Sequence, residues 1–364
     1  CGIYRPHEPW FVPKKYFEPF PLDKIQLPPG YKADDLDDLP PEGKRRGPNR
    51  YFAHIRKHKQ WRSAVQAYLA SIYFADTMLG HVLDALEKGP NAGNTIVVLW
   101  SDHGWHLGEK QHWQKFTAWR ACTRVPLIVR VPKGVPGLPT GTKSATCTRP
   151  VSLLSLAPTL LQLSGLLPHK NHHGPSLVPL LQNPRAEWLH MAVTHLDQPG
   201  SYSLSADRFR YIHYANGDEE LYDTKTDPYE WRNLANDKQH AATLKRLRAL
   251  APTKFAKAVA PKIASMPALK WNPLAANTKV PTSKPAGGTF DVIFINRRAK
   301  PVQLFWIRPN GGRKHYATLP PGKQRRQSTR PGAIWQIAGG PVASAKPFGY
   351  FRVGDRTAKA VVPK

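Results

Sequence analysis

Acidic side chains are scarce in this chain. Its 364 residues carry 25 Asp and Glu against 53 Lys and Arg, a formal net charge of +28. A chain so poor in acid cannot neutralise itself; its field either attracts polyanions by counterion release and long-range steering or is a soluble basic surface with no specific partner. Cysteine is scarcer still: Cys1, Cys122 and Cys147 are the only three. Three thiols exclude a disulfide framework. One bridge is the most they can form, reduced or buried thiols are expected, and the redox compartment stays open. No run of 18 apolar residues occurs, which excludes an ordinary membrane-spanning helix. No signal peptide is visible and the first residue is Cys1 rather than Met, so the chain reads as one that starts inside a longer protein.

What is present is unevenly distributed. Residues 239–364 hold 24 basic side chains against Asp291 and Asp355 alone, whereas residues 1–238 hold 29 basic and 23 acidic side chains. The length is ample for two or three domains with real cores. Residues 11–50 are rich in Pro and charge and predict a long surface loop. The pairs Asp34-Asp35 and Asp37-Asp38 within it read as solvated carboxylates rather than metal ligands, because no apolar strand precedes them. Residues 64–86 recur at helical spacing through Val65, Leu69, Ile72, Leu79 and Leu83. The β-branched run Thr95-Ile-Val-Val-Leu-Trp100 predicts a buried parallel strand, and residues 125–131 are the next strand candidate. Residues 151–163 are helical around Pro158.

After Pro184 the texture becomes β. Short strands are predicted over 191–195, 201–205, 209–214 and 220–223, with Asn216-Gly217-Asp218 as a hairpin turn. A basic helix follows over 241–259. Residues 261–288, rich in Pro, Ala and Lys, predict a linker, and residues 289–364 a separate β module. The expected division is 1–183 for an α/β part, 184–260 for an antiparallel subdomain with a terminal helix, 261–288 for the linker and 289–364 for the module.

The most informative stretch is Ser101-Asp-His-Gly-Trp-His-Leu-Gly-Glu109, with Lys115 six residues on. Asp102 and His103 sit just past a predicted strand's carboxyl end, where open α/β sheets place ligand sites. An adjacent carboxylate and imidazole suit a divalent cation, and Lys115 can return as a fixed positive charge for an oxyanion. A solvated Asp-His turn closed by Gly104 is the alternative.

This stretch resembles the C-terminal metal- and sulfate-binding motif of the sulfatase family, in the alkaline-phosphatase-like superfamily. Three further segments resemble its iduronate-2-sulfatase-like branch in the right order: Gly2-Ile-Tyr-Arg-Pro-His7-Glu-Pro-Trp10, Trp113-Gln-Lys115-Phe, and Leu221-Tyr-Asp-Thr-Lys-Thr-Asp-Pro-Tyr-Glu-Trp-Arg-Asn-Leu234. The resemblance implies a partial alkaline-phosphatase-like sheet with a small antiparallel subdomain. It also implies hydrolysis of a sulfuric ester, of a sulfated saccharide in particular. Asp102 and His103 would ligate one divalent cation, calcium in the family, and Lys115 would contact the sulfate. His7 would face the ester oxygen as general acid or sulfate contact, and His106 and His112 rank as substrate-pocket or surface histidines. Secretion or a periplasmic location is what the family implies.

The family's nucleophile is a formylglycine made within Cys/Ser-x-Pro-x-Arg. Cys122-Thr-Arg-Val-Pro126 and Cys147-Thr-Arg-Pro150 have the wrong spacing, and Ser265-Met-Pro-Ala-Leu269 ends in Leu where Arg is required. The family's early Asp-Asp metal pair and its Lys-x-x-His sulfate pair are missing too. The resemblance therefore implies a fragment that is inactive alone.

Within 289–364, Asn296-Arg, Trp306, His315-Tyr-Ala-Thr-Leu-Pro-Pro-Gly322 and Trp335 resemble the β domain of the von Hippel–Lindau family, a small sandwich that grips hydroxyproline. Trp306, Tyr316 and Trp335 match three of its pocket positions. Thr329 stands where that family has Ser, and Ala333 stands where it has a pocket His, a lost hydrogen-bond partner for the hydroxyl. The aromatics can equally fill a sandwich core. Three functions stay open: the sulfatase, a phosphate or phosphonate ester hydrolase of the same superfamily, and a non-catalytic protein reading polyanions or modified protein through 289–364. The expected partners are a sulfated saccharide or other polyanion and a protein or peptide ligand of the module. Nucleic acid is not expected.

Overall fold

The computed structural model describes residues 1–139, 142–256, 263–275 and 278–364. The chain divides into two compact units, Cys1–Ala258 and Val259–Lys364. The first unit contains α1 (Pro41–Arg46), α2 (Arg50–Lys57), α3 (Trp61–Glu87), β1 (Val97–Trp100), β2 (His106–Leu107), β3 (Trp113–Gln114), α4 (Arg120–Thr123) and β4 (Leu127–Arg130). It continues through α5 (Leu156–Leu163), α6 (Val178–Gln182), β5 (Ala192–His195), β6 (Tyr202–Ser205), β7 (Phe209–His213), β8 (Glu219–Asp223) and α7 (Ala241–Ala249).

The helical spacing over 64–86 becomes α3. The strand expected to be parallel and buried is neither. β1 pairs with β4 antiparallel, with Val97 opposite Arg130 and Trp100 opposite Leu127. Trp100 stays 48% exposed and Ile128 58% exposed. A β-branched run reports fitness for a pleated surface, but the partner brought alongside sets the strand's direction.

The expected loop over 11–50 is also more ordered than its composition suggests. Tyr16, Ile25 and Leu39 are buried. α1 and α2 lie at its end, and α2 is capped by the Asn49 side chain, which accepts from the Phe52 backbone N–H at 3.0 Å. Asp35 is 1% exposed, not solvated. Its carboxylate pairs at 2.8 Å with Lys110, a partner 75 residues away that local sequence cannot reveal.

The β texture after Pro184 forms an antiparallel meander ordered β5-β6-β7-β8. Its turn at Asn216-Gly217-Asp218 is held by the Asp218 N–H donating to Asn216 Oδ1 at 3.1 Å. Tyr202, Leu204, Tyr211 and Leu221 form a core against Leu244 and Leu247 of α7. The helix ends at Ala249, short of the expected 259, and residues 250–256 are not helical. The rest of that expectation lies outside the described residues.

The second unit comprises β9 (Trp271–Pro273), β10 (Phe290–Asn296), β11 (Val302–Ile307), β12 (Arg313–Leu319), β13 (Gln324–Thr329), β14 (Ile334–Gly339), β15 (Lys346–Arg352) and β16 (Ala358–Val362). One sheet is ordered β12-β11-β14-β15-β9 and the other β13-β10-β16, with β10 and β16 parallel. Phe294, Leu304, Ile337 and Phe351, each 0% exposed, belong to one shared core. β9 lies within the stretch expected to be linker. It pairs with β15 because Trp271 packs on Phe348 and Phe351. That approach requires Gly349, where any Cβ would collide with the Trp271 ring. Among the described residues, no helix is long and apolar enough to cross a membrane.

Candidate functional site

The loop after β1 is set by glycine. The Gly104 N–H donates to the Cys122 carbonyl at 2.6 Å and the Trp105 N–H to the Ala121 carbonyl at 2.9 Å. A Cβ at Gly104 would strike the Ala121 oxygen, so only glycine lets the loop lie this close to α4. The chain then runs through the β2–β3 hairpin, in which His106 faces Gln114. Four non-glycine residues here have left-handed backbone: Lys110 (φ 54°), Gln111 (φ 53°), Gln114 (φ 84°) and Phe116 (φ 76°). Each such residue costs on the order of 1–3 kcal/mol and persists only where its surroundings over-determine it. Lys115 sits in this strained segment.

Lys115 Nζ lies 2.7 Å from His103 Nε2 and 3.1 Å from His7 Nε2. His103 Nδ1 is 2.8 Å from the Gly104 carbonyl oxygen, and His7 Nδ1 is 2.7 Å from that of Glu8. A carbonyl oxygen only accepts, so both Nδ1 atoms carry the proton and both Nε2 atoms present a lone pair. The ammonium donates to these lone pairs. Asp102 Oδ2 lies 3.7 Å from His103 Nε2 and its side chain is 75% exposed. His7 is fixed by its own segment: Arg5 donates to the His7 and Phe11 carbonyls, and Gln114 donates to Glu8. The Trp105 ring packs edge-on against His7 at 5.3 Å.

The structure thus brings His7, Asp102, His103 and Lys115 together. The other two histidines have different settings. His112 is buried, with Nδ1 2.7 Å from the Gly47 carbonyl and Nε2 3.0 Å from that of Lys115. It fastens the Lys115 loop to the α1–α2 connection and does not face substrate space. His106 is fully buried, its Nε2 2.7 Å from Thr117 Oγ1, and burial pushes its basicity well below the ordinary histidine value. It stands in the wall of a cavity behind Trp105. In the second unit Trp335 is 2% exposed and its indole N–H donates to Thr329 Oγ1 at 3.0 Å. Trp335 therefore fills core volume rather than lining a pocket. Trp306 and Tyr316 are partly buried against the same core.

The donor set falls short for calcium. Among the described residues no group of three His, Cys, Asp or Glu could hold a metal ion. Calcium takes about six to eight oxygen ligands, and Asp102 with His103 supplies two donors.

Beneath the site lies a buried polar network that sequence reasoning missed. Lys110, 1% exposed, donates to Asp35 and to the Glu230 carbonyl, and sits over the Trp119 and Tyr222 rings. Burial outweighs that ammonium and pushes Asp35 up to about 6. Glu230 pairs with Arg210 at 3.1 Å and accepts the Arg120 backbone N–H at 2.7 Å. Glu220, also fully buried, accepts from Trp119, Tyr214 and Tyr222. These contacts tie the β5–β8 sheet to the loop that carries Lys115. They explain why Tyr222 and Glu230 stand in the late motif.

Residues 3–166 match the sulfatase family, and residues 108–254 match the C-terminal region of N-sulphoglucosamine sulphohydrolase. A sulfatase from Formosa agariphila is 41% identical over 256 residues, which are 69% of this chain and 48% of that protein. Mouse iduronate 2-sulfatase is 29% identical over 339 residues, covering 68% of this chain and 59% of the relative. A phosphonate monoester hydrolase from Silicibacter pomeroyi has a similar structure, with a TM-score of 0.55 and 25% identity over 68% of this chain and 53% of its own. The chain spans about half the length of these relatives. Residues 3–254 are thus similar to the sulfatases, a family of sulfuric ester hydrolases.

Proposed function

We propose that this chain is part of a sulfuric ester hydrolase acting on a sulfated saccharide, and that His7, His103 and Lys115 are its sulfuryl end. The observation that carries this reading is the Lys115 ammonium lying 2.7 and 3.1 Å from two imidazole lone pairs. A sulfate ester entering there meets a fixed cation for its non-bridging oxygens, on rigid supports that need no reorganisation. His7 faces the ester oxygen, as general acid once protonated or as a sulfate contact. Asp102 and His103 would hold a divalent cation only if His103 Nε2 gave up the Lys115 ammonium, and the described residues supply no third ligand. The nucleophile is a formylglycine whose motif is not in this sequence, so the chain alone hydrolyses no sulfate ester. The saccharide part of the reading is supported by the iduronate 2-sulfatase among its relatives.

The likeness to a phosphonate monoester hydrolase supports a second reading, a phosphate or phosphonate ester as substrate. The basic 289–364 module, in this reading a von Hippel–Lindau-like sandwich, holds the polyanionic substrate or a protein ligand, with Trp306 and Tyr316 as its candidate contacts. It also leaves room for a chain that binds polyanions without catalysis.

Calorimetric titration of the full chain with 4-nitrophenyl sulfate tests the leading reading. Wild type binds, and Lys115→Ala binds about 10- to 100-fold more weakly, the effect of one charge-assisted hydrogen bond of about 1.5–3 kcal/mol. Neither protein releases nitrophenol. Equal binding by both proteins overturns the reading, and tighter binding of a 4-nitrophenyl phosphonate selects the second one.

A further inference from the structure

His112, 8% exposed, stands between two stretches of backbone. Its Nδ1 lies 2.7 Å from the Gly47 carbonyl oxygen and 3.0 Å from that of Arg46, and its Nε2 lies 3.0 Å from that of Lys115. All three partners only accept. A neutral imidazole has one N–H and would turn a lone pair on one side or the other. Both nitrogens can bond at these distances only when both carry a proton, so the ring seated here is an imidazolium.

That charge has no carboxylate to answer it. Among the described residues the one histidine–carboxylate pair is His103 with Asp102. From α1, Arg46 offers His112 its carbonyl and turns its guanidinium to Glu42 and Asp197. On the ring's own segment, the Lys110 ammonium is held by Asp35. From β2, the His106 ring lies 5.1 Å away. Burial first, and the charge of His112 second, push the basicity of His106 down, so that ring stays neutral. The three carbonyl dipoles therefore answer the charge, because hydrogen bonds to a charged form favour that form.

The clamp bears on Lys115 through the backbone. Lys115 lies between Gln114 (φ 84°) and Phe116 (φ 76°), both left-handed. Such backbone persists only where its surroundings hold it. Upstream, the Asn49 amide donates to the Trp113 carbonyl at 2.6 Å; at Lys115 itself the hold is His112. An imidazole that has lost one proton can keep the Gly47 carbonyl or the Lys115 carbonyl, not both. Once the second is released, the segment relaxes and Lys115 Nζ leaves its two imidazoles.

We propose that His112 is a positioning residue, an imidazolium that clamps the Lys115 loop in place, and that anion binding at Lys115 weakens as the pH rises and this ring loses a proton. This rests on the reading of Lys115 as the sulfuryl contact, and the experiment separates the two.

The full chain, with ¹⁵N-labelled histidine and carbonyl-¹³C-labelled lysine, is followed between about pH 6 and about pH 8, where histidine ordinarily changes charge. At the acid end both His112 nitrogens are expected to carry protons. On raising the pH one proton is lost, and the Lys115 carbonyl resonance moves in the same titration. Methyl sulfate binding, measured by calorimetry, is expected to weaken at least 10-fold more over this range in wild type than in His112→Gln, whose amide offers the Lys115 carbonyl a donor at either pH. Whatever His7, His103 and Asp35 contribute to the pH dependence is common to both proteins. A histidine with a merely structural role would leave the two pH profiles parallel. Parallel profiles for an anion that Lys115→Ala does bind more weakly overturn the proposal, as does a bare His112 nitrogen at the acid end. If the His112 nitrogens and the Lys115 carbonyl titrate together while Lys115→Ala binds methyl sulfate as wild type does, the clamp stands and the sulfuryl reading falls.

Discussion

Lys110→Met is expected to destabilise the 1–258 unit by about 3–5 kcal/mol. Lys110 is 1% exposed and its ammonium meets the Asp35 carboxylate at 2.8 Å, with Asp35 itself 1% exposed. Removing one partner of a buried ion pair leaves the other charge in a low-dielectric interior without compensation, which is costlier than the pair itself is worth. The double substitution Lys110→Met with Asp35→Leu removes both charges and is expected to recover most of the loss. Hydrogen exchange of the β7 and β8 amides, measured against urea, reports this unit separately from the second one. A loss below about 1 kcal/mol for the single substitution would show that water or another group satisfies Asp35.

The second large effect is expected from Glu220→Ala. Glu220 is 0% exposed and accepts three hydrogen bonds: from Trp119 Nε1 at 2.8 Å, Tyr214 OH at 2.7 Å and Tyr222 OH at 2.6 Å. The alanine variant leaves three buried donors without an acceptor. Each orphaned group costs about 1–3 kcal/mol, so a loss of at least about 3 kcal/mol is expected. Glu220→Gln keeps one acceptor oxygen and turns the other into a donor facing donors, so its loss falls between alanine and wild type. Urea titration followed by the same β7 and β8 amides measures both. If glutamine proves as damaging as alanine, the negative charge matters more than the hydrogen-bond count.

The two effects show what the sequence could and could not say. That Asp102, His103 and Lys115 would lie near one another was readable from one short motif, and His7 was added by the resemblance. Helix α3 was readable because its apolar residues repeat at helical spacing. The four strands of the β5–β8 meander were readable because turn residues separate short β-rich runs. Asp35 and Lys110 were not readable as a pair. A charged residue in a Pro-rich stretch looks solvated until its partner, 75 residues away, is known. His112 looked like a pocket residue because histidine near a motif suggests chemistry, yet its ring is held between the Gly47 and Lys115 carbonyls. Trp335 illustrates the same limit: aromatic identity alone does not separate a pocket wall from a core. β1 shows another, since a β-rich run does not specify the direction of its partner.

The central claim is that two imidazoles present Nε2 lone pairs to one ammonium and that a sulfuryl group enters among them. ¹⁵N spectra of the histidine-labelled full chain, recorded with and without methyl sulfate, test this directly. The account predicts the Nδ1–H tautomer for His7 and His103 and a shift of both Nε2 resonances on adding methyl sulfate, a shift that Lys115→Ala abolishes. Nε2–H tautomers, or Nε2 resonances that ignore the anion, would contradict it.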